Sequence, residues 1–517
     1  MLKLDLQMEN VFKRILIMGL SVLFLLACGK DEPIVEEPQR PEPPSSSIDY
    51  SDIPQSDIYE VTVINEDGSD KKLVFQNACP EFQYGKDGML DKDKYPLDIF
   101  AGRTINWANF SFTGSITVEV EVLDQSKVPV AGSIKIFPSR HNIKPEVSGN
   151  KIRFTLNQPG QYSVEIGENG YKNGLMVFAD PSETEVPDKA SGDYEVYSHN
   201  PKNSSLMIST SRTGIYFEKG IYDIGVYRVP PNIKNIYLEE GAWVYGALIM
   251  DGTPNVKIFG RGVLSGARLD YRQSHSIEAI NQSNNIHVEG IVVADFKHFA
   301  IRLIGEDNIV KWAKVIGGWV YNLDGIAAFA GSNVSNCFIW ANDDAIKVYR
   351  DDITVTDCVV WQLNNGGVIQ MGWTAPNSSN VTINRIDVLR AEWNKFRFNV
   401  GLLNYVGNRY NEPGKTGYHS NWLIENVVTE TPVPVVFNIA PDEFSTNPIH
   451  GLHLKNWDVK MTMGTKFQNT IKGNDPNEYF DGFVFDNVVF NQVKLDVDNW
   501  VNVTEMATKN LSTPEFN

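Results

Sequence analysis

A short unit, Asn followed by apolar, any and apolar residues, recurs from residue 232 onward and constrains the fold more than any other feature. It reads "NIKNIYLEEGAWVYG" from Asn232, "NVKIFGRGVLSG" from Asn255, "NIHVEGIVVAD" from Asn285 and "NIVKWAKVIGG" from Asn308. It continues as "NVSNCFIWAND" from Asn333, "ITVTDCVVWQLN" from Ile353 and "NVTINRIDVLR" from Asn380, with later copies at Asn421, His450 and Asp481. The central steps are about 21 to 30 residues, the length of a unit that cannot bury its own apolar face and must stack on copies of itself. Strand patterning without intervening helical periodicity makes the stack a right-handed parallel β-helix, placed over residues 188–517. Cys337 and Cys358 lie 21 residues apart in matching places, as do Trp340 and Trp361. Each pair is expected to stack in successive coils, the cysteines as core thiols rather than a disulfide.

Residues 57–187 follow a different rule. Runs such as "YEVTVI", "GSITVEVEVL", "NKIRFTL" and "GQYSVEIG" alternate apolar and polar residues between turn signals. Period-two patterning at this spacing predicts an antiparallel β-sandwich, so the whole chain is expected to be all-β.

The first residues carry an address. "NVFKRILIMGLSVLFLLACGK" has a basic start, an apolar run short for a membrane span, and small residues at its end. It reads as a signal peptide over 1–27, and "LLAC" resembles a bacterial lipobox in which Cys28 is acylated. An ordinary signal peptide or a short membrane anchor is the alternative. The following "GKDEP" looks like the acidic tag of surface-directed lipoproteins. Residues 28–56, rich in Pro, Glu and Ser, read as a flexible lipid-anchored linker. The expected location is the cell envelope, with outer-membrane lipid as a partner through Cys28. A formal net charge of −18 excludes nucleic acid as a natural ligand and disfavours acidic polymers.

Two Asp-Asp pairs, Asp343-Asp344 and Asp351-Asp352, raise the question of chemistry. Aligning "YNLDGIAAF" on "WANDDAIKVY" sets Asn322 over Asn342, Asp324 over Asp344 and Ile326 over Ile346. Neighbouring coils are about 4.8 Å apart, so Asp324, Asp343 and Asp344 converge on one patch. Such crowding costs stability and suits glycoside hydrolysis, where one carboxyl must hold a proton and another must be ionised. A metal site is the competing use, weakened by Lys347 and by the lack of a His or a fourth acid at ligand spacing. No cofactor is called for. Asp351 and Asp352 precede a strand and align with no other acid, which makes them turn residues.

"NLDG" at 322–325 with "NDDAIK" at 342–347 resembles the Asn-x-Asp and Asp-Asp pattern of the polygalacturonase clan of β-helix hydrolases. The closer likeness is to the dextranase and isopullulanase family of glycoside hydrolases. That family shares the N-terminal sandwich, the "GRGVLSG" coil from Gly260 and the segment "NNGGVIQMGW" from Asn364 to Trp373. The resemblance implies an inverting mechanism, with Asp343 as general acid and Asp324 and Asp344 holding and activating water. Where polygalacturonases have Gly-His-Gly this chain has Asn365-Gly366-Gly367. Where they have Arg-Ile-Lys, the nearest match is "RFN" from Arg397 to Asn399, which lacks the Lys. Both departures argue against pectin and for a neutral glycan, and the family resemblance implies a dextran-like α-glucan as the polysaccharide partner, although many linkages could suit the same acids.

Further candidates for substrate contact are Lys347, Asn322, Asn342, Asn364, Asn365, Gln370, Trp373 and Tyr349. The asparagines and Gln370 bind hydroxyls or else serve as coil-turn ladders. Trp373, Tyr349, Trp393 and Tyr405 are sugar platforms or core, and His298 reads as structural. The insertion 405–420 is expected to shape the cleft. The rival functions are a polygalacturonase-type hydrolase or lyase on an acidic glycan, and a non-catalytic glycan-binding surface protein.

Overall fold

The computed structural model describes residues 49–80, 100–130, 132–199, 211–373, 377–394, 399–405, 417–440, 448–473 and 480–517. Cys28, the segment before it, most of the linker, Arg397 and the middle of the 405–420 insertion lie outside the described residues.

Alternation sets the sandwich. In Tyr59–Asn65 and Lys151–Leu156 every second side chain is buried, so each strand offers one apolar face. One five-stranded sheet runs, in spatial order, Gly68–Lys72, Tyr59–Asn65, Ile116–Val122, Lys151–Leu156 and Glu146–Ser148, all antiparallel. The second runs Phe75–Ala78, Thr104–Phe112, Leu175–Pro181, Gly160–Ile166 and Ile134–Phe137. Here the expected all-antiparallel order is broken, because Leu175–Pro181 pairs parallel with Thr104–Phe112. The core between the sheets is built from Val61, Phe110, Val118, Phe154, Val164 and Val177 among others.

From Tyr194–Tyr197 to Glu515–Phe516 the chain forms one sheet of 29 strands whose long-range pairings are parallel and skip from coil to coil. This is a parallel β-helix. One column shows its regularity: Ile301, Ile326, Ile346, Ile369, Leu403 and Phe437 pair in line through successive coils. In several copies the opening Asn turns a corner. Asn255, Asn285, Asn380 and Asn421 adopt φ of 60°, 55°, 57° and 52°, a left-handed conformation that Asn tolerates better than other side-chain-bearing residues. Asn421 donates to Asn380 (2.8 Å) and Asn285 to Asn255 (3.2 Å), so neighbouring corners support each other.

Trp340 pairs with Trp361, ring centroids 4.6 Å apart, and Cys337 and Cys358 are buried free thiols as the spacing implied. The sandwich packs on the solenoid through Ile105, Trp107, Met176 and Phe178, which belong to the same apolar core as the coils. Ion pairs reinforce that junction: Lys314 with Asp180, Arg140 with Asp387 (2.7 Å) and Arg103 with Glu392 (2.6 Å).

Candidate active site

Three turns stack at one edge of the solenoid: 322–325, 342–345 and 364–367. Their backbones are tied in register. Asp343 N–H donates to the Leu323 carbonyl (3.0 Å), Gly325 N–H to that of Asp344 (2.9 Å), and Ala345 N–H to that of Gly367 (2.9 Å). Asn342 braces the stack, since its Nδ2 donates to the Trp319 carbonyl just before the first turn and its Oδ1 accepts from Asn364 N–H (3.1 Å) in the third. Gly366 is required where it stands. A Cβ there would lie 2.1 Å from Asp344 N and 2.2 Å from Asp343 C, closer than atoms can approach.

This stacking brings together the three acids that the alignment predicts. One carboxylate oxygen from each of Asp324, Asp343 and Asp344 falls within 4.8 Å of the other two. Lys347 Nζ lies 2.7 Å from Asp324 and 3.1 Å from Asp344, so an ammonium occupies the place a metal ion shared by those two would need. Its ammonium lies over two rings, with Nζ 4.6 Å from the Phe299 centroid and 5.5 Å from that of Trp373.

The acids are not equivalent. Asp344 is fully buried and accepts from Gly367 N–H (2.9 Å), from Trp373 Nε1–H (2.7 Å) and from Lys347. Asp324 is 2% exposed, and burial raises its pKa to about 6 against the opposing pull of Lys347. Asp343 is the most open of the three at 5%, and it has no lysine bonded to it. Burial, then the charges of Asp324 and Asp344, hold its pKa well above the usual carboxylate range. Its partners are neutral: the Asp344 N–H (3.0 Å), Asn365 Nδ2 and Asn399 Nδ2 (3.4 Å). Burial disfavours the charge of Lys347, yet Asp324 and the other acids push its pKa well above the ordinary lysine value.

The remaining candidates divide. Asn365 contacts an acid directly, and Trp373 holds Asp344 while staying partly exposed. Asn322 sits beside Asp324 in a left-handed turn at φ 61° and is partly exposed, as is Asn364. Tyr349 is partly exposed and stacked on Phe329, centroids 4.9 Å apart. Asn342 is corrected from substrate contact to turn brace, because both ends of its amide serve the backbone. Gln370 is fully buried. Its Nε2 donates to Gly372 O (2.8 Å), and its Oε1 has no partner among the described residues.

Trp393 and Tyr405 are core rather than sugar platforms, at 5% and 0% exposure. Trp393 instead donates Nε1–H to the Gly366 carbonyl (2.8 Å). His298 stacks on His275 at 4.2 Å, and burial lowers its pKa to about 4, consistent with a structural ring. Asp351 and Asp352 are turn residues, accepting from Ser379 N–H (2.7 Å) and Asn380 Nδ2 (3.0 Å). Asn399 and Phe299 join the site without a sequence signal of their own. Asn399 closes the "RFN" segment, which carries no Lys, and Phe299 lies among ordinary apolar residues in "KHFAIRL".

Residues 42–212 match the glycosyl hydrolase family 49 N-terminal Ig-like domain. The chain is 26% identical over 488 residues to a dextranase of Arthrobacter globiformis, covering 80% of this chain and 76% of that protein. It is 22% identical over 418 residues to the isopullulanase of Aspergillus niger, covering 72% and 73% respectively. The solved structure of Dex49A from Penicillium minioluteum superposes with a TM-score of 0.76 at 17% identity, over 90% of this chain and 95% of that one. The resemblance to the dextranase and isopullulanase family thus extends over both the sandwich and the solenoid.

Proposed function

We propose that this chain, a relative of the dextranases and isopullulanase, is a glycoside hydrolase of a neutral α-glucan that works by inversion. The observation that carries the reading is the unequal environment of three stacked aspartates around one lysine. Asp343, which favours its proton, gives it to the glycosidic oxygen as the bond to the anomeric carbon breaks. A water oriented by Asp324 and Asp344 attacks that carbon and yields its proton to Asp324. Asp344 is not presented as a nucleophile, since its oxygens are bonded by Gly367, Trp373 and Lys347.

The column of outward positions beside the acids supports a neutral substrate. It runs Glu278, Arg302, Ala327, Lys347, Gln370, Asn404 and Asn438 through paired strands. Both cations in it are already matched, Arg302 by Glu278 (2.5 Å) and Lys347 by two aspartates. Neither is spare for a uronate carboxylate. The same geometry disfavours a lyase, because a lysine held as ammonium does not abstract a proton.

One observation favours a second reading. Oxygens within 4.8 Å are nearer the ~5–5.5 Å carboxyl spacing of retaining enzymes than the ~6.5–9.5 Å of inverting ones. The anomer first released, followed by NMR, separates the two. A screen of dextran, pullulan and polygalacturonate with product chromatography tests the substrate class, and brisk release of galacturonate overturns it. Acylation at Cys28 and display at the cell envelope complete the proposal, on the strength of the "LLAC" sequence.

A further inference from the structure

The sandwich grips the solenoid at one strand end. Of the residues that finish Ser378–Ala391 and follow it, Asp387, Arg390 and Glu392 all bond the sandwich, to Arg140 (2.7 Å), Glu165 and Arg103 respectively. The third contact differs from the others. Arg103, 4% exposed, makes a bidentate pair with Glu392 at 2.6 and 2.9 Å, and its guanidinium lies 5.8 Å from the Trp319 ring centroid. Glu392 also accepts from Trp361 Nε1–H (2.7 Å).

From Glu392 the connections lead to the acids. Its own N–H donates to the Gln362 carbonyl (3.0 Å), and Gln362 Nε2 donates to the Asp343 carbonyl (2.9 Å). The next residue, Trp393, holds the Gly366 carbonyl (2.8 Å) in the turn that carries Asn365. On the other side Trp319, beneath Arg103, accepts from the Asn342 amide. Arg103 thus reaches the Asp343-Asp344 turn through hydrogen bonds on the Glu392 side and through a ring contact with Trp319 on the other.

We propose that Arg103 is a positioning residue for hydrolysis, through which the N-terminal sandwich holds the Asp343-Asp344 turn and the 364–367 turn in working register. A charge-assisted bidentate pair in a buried setting is directional, and losing it frees Glu392 to move away from Gln362. Displacement of a reacting group by about 1 Å costs on the order of 100-fold in rate, so a partial loosening is expected to cost about 10-fold.

The inference rests on the hydrolase reading, and its test separates the two. Arg103→Met, Arg103→Lys and Arg140→Met are made in the full chain. Steady-state kinetics use whichever of dextran or pullulan the unaltered protein cleaves, well below the unfolding temperature. Arg103→Met is expected to lower kcat about 10-fold or more with KM within about twofold, and Arg103→Lys to fall between it and the parent. Arg140→Met, which loosens docking without touching either turn, is expected to keep kcat. Amide hydrogen exchange at 364–367 should quicken in Arg103→Met while amides of Ile116–Val122 in the sandwich stay as they were. Parental kcat and exchange in Arg103→Met overturn the proposal. Should that variant fail to fold, Arg103→Lys carries the test, and its identity with the parent overturns it equally. If the unaltered protein cleaves no glycan, the hydrolase reading falls, and the exchange experiment still decides whether Arg103 holds the turns.

Discussion

Replacing Asp343 by Asn tests the proposed mechanism at the carboxyl assigned to proton donation. The substitution preserves shape: Oδ1 continues to accept from Asp344 N–H (3.0 Å), and the new amide faces Asn365, which turns its own amide over to offer an oxygen. What is lost is the proton. Positioned acid catalysis contributes about 10²- to 10⁴-fold, so kcat on a polymeric glucan is expected to fall by that order. An aryl glycoside whose leaving group departs unprotonated should recover much of the loss.

Stability moves the other way. A carboxyl whose folded pKa is raised stabilises fully below its unfolded value, near 3.9, and loses that contribution as pH rises through the folded pKa. Asp343 is such a group, so near neutral pH Asp343→Asn should melt above the parent, with the advantage shrinking toward pH 4. Thermal scans at several pH values read this directly. Parental kcat in Asp343→Asn, or no recovery with the activated substrate, refutes the assignment of the acid.

Asp324→Asn and Asp344→Asn should lose activity on a similar scale, and the activated substrate should rescue neither, because the attacking water has lost its base or its orientation. The pH profile of kcat/KM should rise as pH increases through about 6, where Asp324 ionises, and fall again at higher pH as Asp343 loses its proton. Those apparent values belong to the coupled cluster, and the basic limb should vanish in Asp343→Asn assayed with the activated substrate. Asp351→Asn and Asp352→Asn should leave kcat within about threefold, since both serve coil corners; a larger loss would move the site. Cys28→Ala should abolish lipid labelling and free the protein from the membrane fraction, and unchanged membrane association would count against acylation.

The repeat spacing made the solenoid legible because stacking converts sequence period into spatial register. Aligning two stretches of sequence was enough to set Asp324 beneath Asp344, as the pairing of Ile326 with Ile346 confirms. The same logic separated the two Asp pairs, since only one has an acid in the neighbouring coil. Other features depend on side-chain direction, which a period does not encode. Trp393 and Tyr405 read equally as sugar platforms or as core, and only the structure shows both side chains buried. Asn342 carries the right functional group for a hydroxyl and spends it on Trp319 and Asn364. The parallel pairing of Leu175–Pro181 with Thr104–Phe112 and the reach of Arg103 to Glu392 join residues far apart in sequence, with no repeat to betray them.

The position of one lysine decides which acid keeps a proton. With all three carboxylates ionised, a single ammonium would leave two negative charges in excess inside a buried cluster, an arrangement that low polarity penalises heavily. Protonating one acid relieves most of that cost. Lys347 bonds Asp324 at 2.7 Å and Asp344 at 3.1 Å, and its charge opposes the rise that burial gives Asp324. Asp344 is held in place by two further N–H donors. Asp343 receives neutral amides and a backbone N–H but no cation, and it is the most exposed of the three. On the proposed mechanism the proton is therefore expected on Asp343, the acid assigned to the leaving oxygen, where burial first and then the charges of Asp324 and Asp344 favour the neutral form.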